Sequence, residues 1–367
     1  MGTCKKCGKS SILISNSLPL CIDCIRESSL EEIYPFIYEA HSIDRRKRNL
    51  PVSPSRAENA PRCTICSNKC AIPKGYRGFC GIRRNENGVI KHPPKDVLLS
   101  HNYLDPHVTN CCAAWFCPAG TGIGYPEYAY SNTPEYGYYN YAIFLYGCNF
   151  DCLFCQNYTH KNIERAPQTT FQEILRDVEN PKISCICFFG GSPEPQLPSI
   201  ISLLKQMREE HPHRILRFCF EWNGCGSWPL VKKAGEYSYL SGGIIKFDLK
   251  AYTSSLSLAL SGVDNSEAYR NFKRLFETFG RREKVPFLTA TTLLVPGYVD
   301  KYEVDNIASF IAEMDPEIPY SLLIFHPEYL MSDLPITPRE QVFRCYRAAK
   351  RHLKNVNIGN MFLLSLA

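Results

Sequence analysis

Three closely spaced cysteines carry the most specific chemistry in this sequence. Cys148, Cys152 and Cys155 have the spacing C-x3-C-x2-C, and no fourth cysteine follows soon after them. Thiolate is the usual ligand of iron–sulfur clusters, so this triplet predicts a 4Fe–4S cluster with one iron left open to bind a reacting molecule. The alternative is a zinc site that borrows a distant fourth ligand, because intracellular cysteine clusters often bind zinc.

Two further cysteine pairs near the start of the chain predict a closed metal site. Cys4 and Cys7 form one C-x2-C pair, and Cys21 and Cys24 form the second. Two such pairs can place four thiolates tetrahedrally around one ion, which is the pattern of a zinc ribbon, with mononuclear iron as the other option. A site with four protein ligands leaves no position for a substrate, so a structural or recruiting role is expected.

A second group of four cysteines follows the first after a proline-bearing basic segment. Its members are Cys63, Cys66, Cys70 and Cys80. Four thiolates again predict a closed metal site. Their unequal spacing fits zinc and an iron–sulfur cluster equally well, so both metals stay open for this group.

A third group contains the adjacent Cys111 and Cys112, and then Cys117 followed by Pro118. A cysteine before proline recurs in ferredoxin-type cluster ligation, so Cys111 and Cys117 are candidate ligands of an auxiliary iron–sulfur cluster. Adjacent cysteines rarely bind one ion together, and free cysteine commonly behaves as a small apolar core residue. Buried thiols are therefore the alternative.

The composition is that of a folded globular protein. The chain has 367 residues, 44% of them hydrophobic, and 19 cysteines, an odd number that speaks against complete disulfide pairing. No apolar stretch approaches the roughly 18 residues that span a bilayer, so a cytoplasmic protein without a membrane partner is expected. The net charge of +6 is mild, and the basic run at residues 45–48 is more typical of a solvated linker than of an RNA contact.

The chain is predicted to contain four stretches. A zinc-ribbon-like module occupies residues 1–40, a basic linker 41–60, a second cysteine-rich module with a tyrosine-rich connection 61–137, and a partial barrel 138–367. In the last stretch six apolar runs alternate with helical patterns, which predicts a parallel sheet with right-handed crossovers. The expected fold class is α/β, an incomplete parallel (β/α)6 barrel preceded by small cysteine-rich metal-binding modules.

The unusual residues of the predicted barrel lie where its strands end. Sites in parallel α/β folds gather at the carboxyl ends of the strands, and paired glycines let backbone amides approach a ligand closely. These residues are Gly190, Gly191, Ser192 and Pro193 after the second strand, Glu221 on the third, and Asp248 and Lys250 on the fourth. The last two either serve a ligand or form a structural ion pair.

The cysteine triplet, with Phe154 before its last cysteine, and the Gly-Gly-Ser-Pro turn one unit later resemble the radical S-adenosylmethionine (SAM) superfamily. The Glu221 and Asp248 elements resemble the branch of the pyruvate formate-lyase-activating enzymes, although Trp222 stands where that branch has threonine. Over residues 61–367 the chain is most similar to the radical SAM protein of the AmmeMemoRadiSam system, and the shared elements include His326 before proline.

The resemblance implies roles for these residues. The open iron of the cluster would chelate the amino and carboxylate groups of SAM, and the glycine turn would bind the amino group. Phe154 would form an apolar wall for the adenine, Asp248 and Lys250 would bracket the SAM carboxylate, and Glu221 would face the ribose or a nearby cation. His326 would lie near the methionyl or ribose end of SAM.

The function implied is reductive cleavage of SAM to methionine and a 5′-deoxyadenosyl radical, which takes a hydrogen atom from a substrate. A protein or peptide substrate is expected, as for the activating enzymes that generate a glycyl radical in a partner, with ferredoxin or flavodoxin as the electron donor. Two alternatives remain open. One is radical modification of RNA, motivated by the basic run and the N-terminal ribbon. The other is a metal-bound scaffold that binds partners without catalysis.

Overall fold

The chain begins with two small cysteine-rich modules, and the computed structural model describes residues 1–365. The elements of these modules are β1 (Gly2–Thr3), β2 (Ser10–Ser11), α1 (Ile22–Glu27), α2 (Leu30–Arg45), β3 (Arg84–Glu86) and β4 (Val89–Lys91). A capping box begins α2, in which Ser29 N donates to Glu32 Oε2 at 3.0 Å. The boundary predicted between residues 40 and 41 therefore falls inside this helix.

Within residues 1–365 a nine-stranded sheet follows the modules, in the spatial order β13-β12-β11-β10-β9-β8-β6-β5-β7. Its strands are β5 (Val97–Pro106), β6 (Tyr139–Leu145), β7 (Gln168–Thr170), β8 (Ile183–Gly190), β9 (Arg217–Trp222), β10 (Ile245–Asp248), β11 (Leu288–Leu294), β12 (Tyr320–Ile324) and β13 (Val356–Gly359). Neighbours from β6 through β13 are parallel, whereas β5 is antiparallel to both β6 and β7. The carboxyl ends of the parallel strands therefore share one edge.

The α/β fold class and the six predicted strands are confirmed. A further parallel strand, β13, was not predicted, because its four residues are all half-buried and form no apolar run. The predicted barrel extended to residue 367, and residues 366–367 lie outside the described part of the chain.

Helices alternate with the parallel strands and cover the sheet. They are α3 (Pro118–Thr121), α4 (Phe171–Val178), α5 (Leu197–Glu210), α6 (Trp228–Ser241), α7 (Ser254–Ser261), α8 (Ser266–Phe279), α9 (Lys301–Ala312) and α10 (Arg339–Lys350). Along β8, Ile186 and Phe188 belong to the same apolar core as Leu203 of α5, while Cys185 and Cys187 line a cavity inside the barrel. This alternation follows from the two-residue repeat of a strand.

A buried ion pair holds the amino-terminal ends of β8 and β9. Arg217 Nη2 lies 2.6 Å from Glu135 Oε2, and the two side chains are 2% and 0% exposed. Ser184 Oγ donates to the same carboxylate at 2.7 Å. Burial acts to raise the pKa of Glu135, but Arg217 outweighs it and holds the pKa below its ordinary value. The pair therefore fixes the tyrosine-rich connection against the lower end of the barrel.

Glu135→Ala is expected to lower the free energy of unfolding by about 3–5 kcal/mol, because it leaves the buried guanidinium of Arg217 without its counter-charge. Urea denaturation followed by circular dichroism measures the change. Glu127→Ala is the matched control, since the ion pair of Glu127 with Lys284 is half exposed to solvent and should contribute less than about 1 kcal/mol. Equal losses in the two variants would contradict this account of the pair.

Candidate functional site

The three cysteines of the loop after β6 line a cavity of about 500 Å³ at the carboxyl ends of the strands. Cys148 and Cys152 are each 9% exposed, and Cys155 is half-buried. Phe150 N donates to Cys148 Sγ at 3.3 Å, which helps to fix the turn of the loop. Burial raises the pKa of all three thiols, that of Cys155 to about 12. Metal binding must therefore displace firmly held protons.

Asp151, inside this loop, is the centre of a buried charge network. Its carboxylate is 2% exposed and lies 2.8 Å from His41 Nδ1, 3.0 Å from Arg45 Nη1 and 2.6 Å from Lys161 Nζ. Burial acts to raise the pKa of Asp151, but Arg45, Lys161 and His41 outweigh it, so the pKa lies well below the ordinary range. Because His41 and Arg45 belong to α2, the network joins the N-terminal module to the cysteine loop.

The glycine turn after β8 packs directly against the cysteine loop. Gly190 has φ +105°, a conformation that favours glycine. A Cβ on Gly191 would lie 2.2 Å from the carbonyl oxygen of Gly147, so no side chain fits there. Gly190, Gly191 and Ser192 line the cavity. Pro193 is buried and precedes the short 3-10 turn Glu194–Gln196, so it shapes the turn beneath the cavity.

Glu194 is a buried carboxyl beneath this turn that the sequence did not single out. It accepts hydrogen bonds from Ser192 Oγ and from Gly224 N, the latter at 2.6 Å. Burial raises the pKa of Glu194 to about 7, although these donors act in the opposite direction. Asn223 Nδ2 completes the packing by donating to Ser192 Oγ at 2.9 Å and to Asn149 Oδ1 at 2.7 Å. The glycine turn and the cysteine loop are therefore tied together.

Two ion pairs lie at the strand ends in the cavity wall. Lys246 Nζ is 2.5 Å from Glu221 Oε1, so the cation near Glu221 is a lysine of the neighbouring strand. Lys250 pairs with Asp248, and its Nζ lies 5.6 Å from the centre of the Phe154 ring. Burial acts to lower the pKa of Lys250, but Asp248 and Cys152 outweigh it and raise the pKa.

The residues predicted to bind SAM are brought together around the cavity, except Pro193 and His326. Phe154, Glu221, Asp248 and Lys250 all line the cavity of about 500 Å³. His326 is half-buried and makes its hydrogen bond with Pro327 O at 3.3 Å. Among residues 1–365, His326 is not one of those that line this cavity, so its predicted contact with SAM stays a prediction.

The cavity wall also contains polar residues that sequence patterns did not reveal. Thr291 lies in the middle of β11, and Ser321 and Asn357 are the second residues of β12 and β13; all three line the cavity. Trp222 and His160 also line it, and Trp222 Nε1 and His160 Nδ1 are buried atoms without a hydrogen-bond partner within residues 1–365. Of these five residues only Trp222 stands at a strand end, so strand-end position was not a sufficient signal for the others.

The N-terminal cysteines converge closely enough for one metal ion. The thiol sulfurs of Cys4, Cys7, Cys21 and Cys24 all lie within 4.8 Å of one another, and those of Cys7 and Cys21 are 3.7 Å apart. Tetrahedral zinc with Zn–S bonds of about 2.3 Å requires sulfurs roughly 3.8 Å apart. Burial acts to raise the pKa of Cys4, but backbone donors from Cys21 and Cys7 lower it to about 6, which favours a thiolate ligand.

The second cysteine group is less tightly gathered than the first. Cys63 N donates to Cys70 O at 2.9 Å, and Cys66 and Cys70 are buried. Burial raises the pKa of Cys66, and the neighbouring thiols of Cys80, Cys70 and Cys63 raise it further. Within residues 1–365, however, no three of the four sulfurs lie within 4.8 Å of one another, so a metal site in this group stays a prediction, with both metals open.

The third cysteine group lies inside the barrel. Cys111 Sγ accepts a hydrogen bond from Lys246 Nζ at 3.0 Å, and Cys111 and Cys117 pack against the small apolar cluster of Ala113 and Phe116. The hydrogen bond with Cys112 lowers the pKa of Cys111 to about 7, aided by the charge of Lys246 and opposed by burial. An auxiliary cluster at Cys111 and Cys117 stays a prediction.

Comparison with known proteins identifies the domain that carries the cavity. Residues 142–311 match the sequence profile of the Radical SAM superfamily, and this range contains the cysteine triplet and the glycine turn. This part of the chain is a radical SAM domain. The superfamily implies a 4Fe–4S cluster and SAM as cofactors.

Relatives of Methanocaldococcus jannaschii extend the similarity beyond this domain. An uncharacterised protein is 24% identical over 335 residues, which cover 83% of this chain and 82% of the relative. Two proteins provisionally named glycyl-radical enzyme activating enzymes are 23% and 24% identical, each over 59% of this chain and over 87% and 79% of their own lengths. The chain is therefore similar to radical SAM proteins of the activating-enzyme type.

Two solved structures share part of the fold at low similarity. A domain of a pyruvate-formate lyase-activating enzyme from Bacteroides vulgatus is 17% identical, with a TM-score of 0.38 over 47% of this chain and 98% of that domain. SuiB of Streptococcus suis bound to S-adenosylmethionine is 16% identical, with a TM-score of 0.42 over 57% of this chain and 47% of that protein. Separately, none of the helices in residues 1–365 has the length and apolar character needed to cross a bilayer.

The residues of the radical SAM domain fit both cofactors. Cys148, Cys152 and Cys155 supply three thiols on one buried loop, as a cluster with one open iron requires. The polar side chains of Ser192, Asp248 and Lys250 in the cavity wall suit a polar, charged ligand. The 4Fe–4S cluster would be held by the three cysteines, with SAM against the glycine turn.

Asp151→Asn is expected to lower the free energy of unfolding by about 3–5 kcal/mol, because Arg45 and Lys161 then remain buried without a counter-charge. Iron retained after gel filtration should fall as well, since Asp151 lies between two cluster cysteines. Asp96→Asn, at an exposed carboxylate, is the control for both measurements. Full iron retention in Asp151→Asn would contradict the link between α2 and the cysteine loop.

Glu194→Gln is expected to remove a pH dependence of stability. Because the pKa of Glu194 rises to about 7 in the folded state, the folded protein binds the proton that the unfolded chain loses near pH 4, so stability falls as pH rises between these values. Between pH 5 and pH 8 the free energy of unfolding of the wild type should fall by about 3 kcal/mol more than that of the variant. Urea midpoints at both pH values test this, with the exposed Glu210→Gln as control. If the difference in free energy of unfolding between Glu194→Gln and the wild type is the same at pH 5 and pH 8, the prediction is refuted.

Proposed function

We propose that the protein is a radical SAM enzyme that abstracts a hydrogen atom from a protein or peptide. The observation that carries the proposal is the shared cavity. The cysteine triplet, the glycine turn and the Asp248–Lys250 pair all line it, at the carboxyl ends of the parallel strands β6, β8 and β10. Each of these elements suits one part of the same reaction.

When bound, the cluster supplies the electron for reductive cleavage of SAM to methionine and a 5′-deoxyadenosyl radical. The chain's own residues bind and orient. The backbone of the turn at Gly190 and Gly191 would meet the SAM amino group, and Lys250, held by Asp248, would offer a positive charge to the SAM carboxylate. Phe154, which is 3% exposed, supplies an apolar wall and limits the access of water.

A protein or peptide substrate is supported by the relatives that are named activating enzymes, because those names imply action on a partner enzyme. In addition, the polar side chains of Thr291, Ser321 and Asn357 line the cavity and could bind a peptide backbone. Ferredoxin or flavodoxin is the proposed electron donor. Zinc is the proposed ion of the Cys4, Cys7, Cys21 and Cys24 site, since the spacing of the four sulfurs suits one ion.

The two alternatives have less support. Modification of RNA is motivated by the basic run and the N-terminal ribbon. Within the basic run, however, Arg45 is buried against Asp151 and Arg48 pairs with Asp44. Only part of that run is therefore free to meet a phosphate backbone. The scaffold reading predicts damage to the cysteine triplet or the glycine turn, and both are intact.

The test is anaerobic reconstitution with iron and sulfide, followed by SAM and dithionite, with 5′-deoxyadenosine measured by mass spectrometry. The wild type is expected to form this product. The Cys148→Ala/Cys152→Ala/Cys155→Ala variant should form none and lose about four iron atoms per chain. Cys345→Ala, at a buried cysteine of α10 far along the chain, is the matched control and should behave as the wild type.

Two results would overturn the proposal. One is equal product in the wild type and the triple variant, because cleavage would then not depend on the triplet. The other is a wild-type protein that binds zinc but no iron under these conditions, because zinc cannot deliver an electron.

A further inference from the structure

The thiol of Cys111 lies between two cavities inside the barrel. The outer cavity is the one of about 500 Å³ that contains the cluster cysteines. The inner cavity, of about 200 Å³, is kept open by small strand residues that include Ala142, Cys185 and Cys219. Cys111 and Glu221 line both cavities. A substrate group that reaches from the outer cavity into the inner one therefore passes the Cys111 thiol.

Two charged neighbours hold this thiol. Lys246 Nζ donates to Cys111 Sγ at 3.0 Å, and Cys111 Sγ donates to Glu221 Oε1 at 3.5 Å. The lysine side chain is 3% exposed and lies 2.5 Å from the same carboxylate oxygen. The three groups contact one another, with Lys246 buried and Cys111 and Glu221 half-buried, and these contacts fix the direction of the thiol.

The same contacts argue against a metal ion at this point. The ligand atoms of Cys111, Cys112 and Glu221 lie within 4.8 Å of one another. However, the ammonium group of Lys246 already contacts both Cys111 and Glu221, so it takes the place that a cation would occupy. A free thiol fits this arrangement better than a ligated one.

A thiol in the wall of this cavity can donate a hydrogen atom to a carbon radical that forms there. The S–H bond is weaker than an ordinary aliphatic C–H bond, so an aliphatic carbon radical that is not stabilised by neighbouring amides takes the hydrogen atom from sulfur when it is within reach. The mechanism proposed above leaves the fate of the substrate radical open, and Cys111 is positioned to decide it.

Resting on the proposed function, we propose that Cys111 is a catalytic hydrogen-atom donor that quenches the radical formed on the substrate. Its S–H bond breaks homolytically, a C–H bond forms on the substrate, and a thiyl radical remains on Sγ. One electron from the same one-electron donor that serves the cluster then converts the thiyl to a thiolate, and a proton from water restores the thiol. Lys246 stabilises the thiolate by its charge at 3.0 Å. The product is a closed-shell peptide whose new hydrogen comes from solvent.

The experiment uses the cluster-loaded protein with SAM and dithionite in D2O, without substrate, so that the 5′-deoxyadenosyl radical itself is the carbon radical. Thiol hydrogens exchange with D2O, so the wild type is expected to form 5′-deoxyadenosine that carries deuterium. Cys111→Ser should lose this deuterium, because an O–D bond is too strong to donate. Cys112→Ser, at the adjacent thiol of the outer cavity, should retain it.

Iron and sulfide per chain provide a second readout that does not depend on turnover. Cys111→Ser is expected to contain as much of both as the wild type. A loss of iron would make Cys111 a ligand of an auxiliary cluster and overturn the inference. Equal deuterium in the wild type and Cys111→Ser would also overturn it, while leaving SAM cleavage intact. Absence of 5′-deoxyadenosine in the wild type would instead overturn the proposed function.

Discussion

The buried carboxylate of Asp151 must be paired with positive charge, and the contacts that pair it join α2 to the cysteine loop. A negative charge taken out of water is costly unless it is paired, and here His41, Arg45 and Lys161 all bond to it. Two of these partners come from α2, so the cysteine loop reaches its final shape only when that helix is docked. The N-terminal module is therefore coupled to the cluster site by charge. Arg45, the first residue of the basic run, makes one of these contacts.

Strand register places the remaining charges of the site. Glu221 and Lys246 are direct neighbours across the parallel pair of β9 and β10, which brings their side chains to one point of the cavity wall. Lys246 and Asp248 are two residues apart on β10 and thus share a face of the sheet. Lys246 pairs with Glu221 of the neighbouring strand, and Asp248 pairs with Lys250 just beyond the end of β10. The cavity wall is therefore polar, and each of these four charged side chains has a partner of opposite charge.

The cysteines fall into groups that differ in spacing and neighbours. Those of the N-terminal module have sulfurs within 4.8 Å of one another, as one ion requires. The triplet lies on a buried loop at the mouth of the barrel, where a larger cofactor can be held. Cys111 lies beside a buried ammonium group, which suits a thiol or thiolate better than a metal ligand. One residue type thus serves different chemistries through its surroundings.

The sequence by itself determined the cysteine triplet, the glycine turn and the six strands that lead to them, because spacing and apolar periodicity are local properties of the chain. It did not reveal β13, which has no apolar run, or α7, whose serine-rich sequence has little periodicity. Only the tertiary structure joined Asp151 to α2, paired Glu221 with Lys246 and set Cys111 between two cavities. These contacts link residues that are far apart in sequence. Burial and strand register, which create such contacts, are properties of the folded chain as a whole.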